Sequence, residues 1–260
     1  MIRYALSVIL ITLLCCTGVS AAEKVLDRAT MKESIREILK DNPDMIFDAF
    51  QGHEDRLYDL IQIGLEKKNK DRIRAERLVQ LQNPKIAAPH PERPIWGNPD
   101  GDISIIVFSD FQSATCSKAD KIISELLDKH PEISYRFRHN PLNIHKQSLP
   151  AAYYYEAMAL QDKRKAMRFN HLILENRLKI KKGGTAELDL LAASCGADME
   201  RLHREISSGA VKSIVDADIK EAKKIGFTAS PVFLVNGVTV TGAAPVEEFE
   251  EVIRMINDRR

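Results

Sequence analysis

Residues 103–116, Ile-Ser-Ile-Ile-Val-Phe-Ser-Asp-Phe-Gln-Ser-Ala-Thr-Cys, constrain the fold of this chain more than any other stretch. Residues 103–108 are almost wholly apolar and β-branched, as in a strand covered on both faces of a sheet. Ser109, Asp110 and Gln112 supply a turn. From residue 114 to 129, Ala119, Ile122, Ile123, Leu126 and Leu127 recur at helical spacing. A buried strand feeding directly into an amphipathic helix predicts an α/β fold, with Ser113 and Cys116 at the helix N-terminus. Free N–H groups and the positive end of the helix dipole at such a place stabilise a thiolate.

The flanking patterns extend this reading. Residues 133–138 alternate, with Ile133, Tyr135 and Phe137 on one face, so strand, helix and strand form a βαβ unit with a parallel pair. Only helical patterns occupy residues 148–225, punctuated by Gly183-Gly184 and Cys195-Gly196. Strands resume around Asn236-Gly237, a strong hairpin signal, and Pro245 and Glu247 open a closing helix through Ile256. Trp96 stands at the entrance to the first strand and is expected to pack in the core.

The segment Phe-Ser-Asp-Phe-Gln-Ser113-Ala-Thr-Cys116 resembles the active site of DsbA-type thioredoxin-fold oxidoreductases, whose usual form is Asp-Phe-x-Cys-x-x-Cys. Ser113 stands where that family has its nucleophilic cysteine, and Cys116 matches the second, resolving cysteine. Ser230-Pro231 matches the family's cis-proline loop, where backbone before the proline pairs with substrate as an added strand. The resemblance implies a thioredoxin-like fold with a helical insertion at about 146–225, preceded by an all-helical N-terminal extension. It also implies Cys116 and Ser113 as catalytic positions, and Ser230, Pro231, Ala114, Thr115 and Phe111 as the substrate surface. Exported client polypeptides, a membrane redox partner and glutathione are the partners it suggests.

Residues 1–22 have a basic start at Arg3, an apolar stretch and the small-residue exit Val-Ser-Ala-Ala, the pattern of a cleaved secretory signal peptide. Lipoprotein anchoring at Cys15 or Cys16 is disfavoured by the large Leu14. Cleavage leaves Cys116 and Cys195, too few for a disulfide framework, and the simplest address is an oxidising periplasm. Residues 23–82 carry short amphipathic helices, with a capping-box pattern from Thr30 to Glu33, and their apolar stripes suggest a stalk that makes a homo-oligomer. Five prolines between 83 and 99 read as an extended linker to the domain at 100–260.

With 38 basic and 37 acidic residues interspersed, nothing points to nucleic-acid binding. The seven histidines show no metal-ligand spacing, and no cofactor motif appears. Serine cannot replace a thiolate nucleophile without a base, so Ser113 reads as a helix N-cap that accepts from the Cys116 N–H. Three functions compete: thiol–disulfide exchange or isomerisation through Cys116 as a monothiol; redox-inactive chaperoning on the same scaffold; and a glutathione-dependent activity resembling kappa-class transferases, which use a serine at this position.

Overall fold

The computed structural model describes residues 27–88 and 90–259, so the expected signal peptide lies outside the described residues. The chain divides into two compact units that meet at 67/68. The first holds α1 (Arg28–Asp41), α2 (Asp44–Asp48) and the start of α3 (Glu54–Gln82). Asp27, rather than Thr30, caps α1: its carboxylate accepts from the Ala29 and Thr30 N–H groups, and the Thr30 hydroxyl donates to it. An ionised carboxylate is the stronger acceptor, and it moves the helix start one turn upstream of the expected capping box. Ile35, Phe47, Leu60 and Ile61 leave these helices apolar on exposed surface, Phe47 at 70% exposure.

The second unit is built on a five-stranded sheet. β1 (Trp96–Gly97), β2 (Ile103–Ser109), β3 (Ile133–His139), β4 (Val232–Val235) and β5 (Val238–Thr241) lie in the order β1-β3-β2-β4-β5. Only β2 and β3 run parallel, joined by the crossover helix α4 (Ala114–Lys129), as the βαβ pattern requires. Between β3 and β4 the chain inserts six helices, α5 (Ser148–Gln161), α6 (Lys163–Glu175), α7 (Arg177–Gly183), α8 (Thr185–Ser194), α9 (Met199–Ile206) and α10 (Gly209–Lys224). α11 (Val246–Asn257) closes the fold. The result is a thioredoxin-like fold with a helical insertion.

The central strand shows why its sequence is apolar throughout. Ile103, Ile105 and Val107 enter the main core with Phe137, Phe233 and Phe249, while Ile106 and Phe108 enter a second cluster with Ala222, Phe227 and Leu234. Alternate residues point to opposite faces, and both faces are covered. Trp96 is buried edge-on against Tyr135. It belongs to β1, a two-residue strand that the turn-like sequence around it concealed.

The last turns of α3 and the proline-rich segment belong to this unit. Arg77 is buried with its guanidinium 2.6 Å from Glu248, and Gln80 accepts from the Thr239 N–H. Lys85 donates its amide to the Gly237 carbonyl and its ammonium to the Ile225 carbonyl. Gly237 lies at φ +87°, and a Cβ there would come within 2.5 Å of Pro84, so the hairpin tip must be glycine for this segment to pass.

Candidate functional site at the strand-to-helix junction

The turn after β2 is organised by Asp110, which is fully buried. One carboxylate oxygen accepts from the Gln112 N–H at 2.7 Å and from the Ser148 hydroxyl. The other accepts from the Leu142 N–H and from His145 Nδ1, both at 2.8 Å. One side chain thus fixes the turn, the loop after β3 and the start of the insertion. The sequence showed Asp110 only as a turn residue; Leu142, His145 and Ser148, the partners that make it an organising group, lie more than thirty positions downstream.

Ser113 caps α4 as expected. Its backbone is extended and its hydroxyl accepts from the Cys116 N–H at 3.3 Å. Cys116 is 2% exposed, and the Asp110 N–H donates to its sulfur at 3.4 Å. Burial pushes the Cys116 thiol above the ordinary thiol range; hydrogen bonds from Ser109, Ser113 and the Asp110 amide pull the other way without prevailing. Cys195 ends α8 as a second free, buried thiol, also raised by burial.

The Ser230–Pro231 bond is cis. Its loop is tied to the end of β2 through Asn140, whose amide N–H donates to the Ser109 carbonyl and whose side chain donates to the Ala229 carbonyl. The Ser230 hydroxyl donates to the Asn140 carbonyl at 2.8 Å. Among the described residues, no hydrogen bond engages the Ser230 peptide N–H or C=O. Pro231, Ser109 and Cys116 line one small cavity with Tyr135 and Phe137, so the structure brings the loop and the thiol together. Ala114 and Thr115 are exposed beside them. Phe111, expected on the substrate surface, is 1% exposed and stacks on Phe137 at 4.9 Å; the aromatic core claims it.

A buried trio, His139, Glu156 and Asp218, brings its ligand atoms within 4.8 Å of one another. The Arg93 guanidinium contacts both carboxylates and Arg138 contacts Asp218, so two cations already neutralise the group and disfavour a divalent ion. Among the described residues, no helix is long and apolar enough to cross a membrane.

The thioredoxin family profile matches residues 90–255. Among solved structures, the chain superposes on a thioredoxin-like oxidoreductase from Silicibacter pomeroyi with TM-score 0.55 and 23% identity, covering 65% of this chain and 94% of that one. The thiol-disulfide exchange protein alpha-DsbA2 from Wolbachia pipientis gives 0.55 and 18%, covering 71% and 98%. ScsC from Proteus mirabilis gives 0.58 and 14%, covering 90% and 100%. Of curated proteins, a Na(+)/H(+) antiporter NhaA 1 from Mycolicibacterium gilvum is 27% identical over 152 residues, 56% of this chain; the chain spans only about a quarter (24%) of that antiporter.

Proposed function

This chain belongs to the thioredoxin family, in the DsbA-like form of the fold, and on that premise we propose that it is a periplasmic protein that binds exported polypeptides without a dithiol redox cycle of its own. The observation that carries this reading is the pairing of a Ser113 cap and a buried, proton-retaining Cys116 with an unengaged peptide edge at Ser230. A dithiol catalyst stores two electrons by closing its own disulfide, and Cys116 has no neighbouring cysteine one turn earlier with which to do so. The Ser230 N–H and C=O are the two groups that an extended client needs in order to add as a strand. An extended, cysteine-free peptide is expected to bind the full chain. The same peptide N-methylated at alternate residues, which removes its donors, should lose most of its affinity; equal affinity would sink the strand-addition reading.

A second reading has one observation in its favour: the Cys116 sulfur sits in the same cavity wall as Pro231, one turn inside α4. Exchange as a monothiol would require that cavity to open. Native Cys116 is expected to react with iodoacetamide at least about a hundredfold more slowly than the unfolded chain, because the thiolate is scarce and access requires local opening. Mass spectrometry of timed labelling checks this. Labelling at the unfolded rate would favour exchange.

Self-association through residues 27–67 completes the proposal. Exposed Ile35, Phe47, Leu60 and Ile61 give those helices an apolar face that a second copy would cover. Light scattering is expected to show an oligomer for the full chain, and a Phe47→Glu/Ile61→Glu double variant should shift it to monomer. A monomeric wild type would remove this part of the proposal.

A further inference from the structure

Two cavities share the loop carrying Ile144, His145 and Lys146, which lines both, and the first of them lies beside the α4 N-terminus. The first, about 470 Å³, runs from Gln112 and Ala114 to Arg177, Leu178 and Lys181 on α7. The second, about 730 Å³, runs from Asn140 to Lys223 and Thr228, two residues before Ser230. The loop between them is fixed from beneath by the buried Asp110 carboxylate, which holds Leu142, His145 and Ser148.

The charge of this surface is one-sided. The chain as a whole has 38 basic and 37 acidic residues, yet neither cavity has an Asp or Glu among its described lining residues, while Lys146, Arg177, Lys181 and Lys223 all face them. Large apolar side chains stand exposed among these cations: Ile144 is 80% exposed and Leu178 57%. In the same wall, the Gln112 side-chain nitrogen is a buried donor with no partner among the described residues. Cations around exposed aliphatics, continuous over two cavities, suit an extended chain that carries both carboxylates and apolar side chains. A small inorganic anion would use the cations and leave the aliphatic surface wet.

We propose that this groove selects acidic segments of the client polypeptide, taking their carboxylates at Lys146, Arg177 and Lys181 while the neighbouring backbone reaches the Ser230 loop. The inference rests on the client-binding reading above and adds a sequence preference to it. Charge pairs at a partly exposed surface contribute modestly one by one, so preference comes from several acting together and weakens as salt shortens their range.

The test is fluorescence polarisation with the full chain and two labelled peptides, one alternating Glu with Leu and Val, the other with Gln in place of every Glu. The acidic peptide is expected to bind about fivefold or more tightly at low salt, with the advantage shrinking as salt rises. Lys146→Glu/Arg177→Glu should abolish the preference, and Lys212→Glu, on α10 outside both cavities, should retain it. Should the double variant melt early by circular dichroism, Lys146→Gln and Lys181→Gln singly carry the same comparison with a smaller expected loss. Equal binding of both peptides would overturn the groove inference and leave client binding standing. Binding of neither would overturn both. Capture of phosphatidylglycerol vesicles, with both peptides ignored, would also overturn the inference and assign the surface to a membrane.

Discussion

Ser113→Cys is expected to raise insulin reduction from background by at least about a hundredfold, because it places a thiol at the α4 N-cap, where free N–H groups and the helix dipole favour a thiolate. Ser113 occupies the α4 N-cap, facing the free N–H groups of the first turn, and Cys116 stands three residues on as a resolving thiol. Around it, Asp110 holds the turn, and Pro231 shares a cavity wall with Cys116. On the proposed reading, a low-pKa sulfur at position 113 is what the wild type lacks. A hydroxyl remains protonated at neutral pH and cannot attack a disulfide. A variant that folds, keeps both thiols reduced and still fails to reduce insulin would place the defect elsewhere than at Ser113.

Asp218→Ala is expected to cost about 3–5 kcal/mol of stability, the range for removing one partner from a buried ion pair and leaving the other charges unpaired. Asp218 is 1% exposed and accepts from Arg93 at 2.5 Å, from Arg138 at 2.7 Å and from the His139 N–H at 3.0 Å. Burial by itself would lower the Arg93 pKa, but Glu156 and Asp218 outweigh it and hold the guanidinium charged. Without Asp218, two buried guanidiniums share Glu156 and the half-buried Glu221, and a backbone donor loses its acceptor. Urea denaturation measures the difference. A loss below about 1 kcal/mol would mean that water or Glu221 takes over, and that the network does not pin the 83–99 segment as tightly as its distances imply.

That network also shows where sequence reading stops. The strand at 103–108, the α4 face, the Asn236-Gly237 hairpin and the Ser113 cap were legible because each is encoded by neighbours within a turn or a strand's length. The roles of Asp110, Asp218 and Arg93 were not, because the partners that give them those roles, such as Leu142 for Asp110 and Asp218 for Arg93, lie 32 and 125 residues away along the chain. Phe111 misled for the same reason: nothing local distinguishes a ring that meets solvent from one stacked on Phe137. The proline-rich segment reads as a linker by composition, but a turn from His90 to Arg93, the buried Arg93 and the bonds from Lys85 and Ala88 fasten it to the domain. Proline content signals an extended backbone and says nothing of what that backbone packs against.

The central claim is that client binding has been separated from thiol chemistry. Its most direct test compares wild type and Cys116→Ala, both as full chains, for binding of one extended, cysteine-free exported polypeptide. Affinities within about twofold of each other are expected, since Cys116 is only 2% exposed and a buried thiol offers a client little contact. A tenfold or greater loss in Cys116→Ala, with its melting temperature unchanged, would contradict the claim and return the function to the thiol.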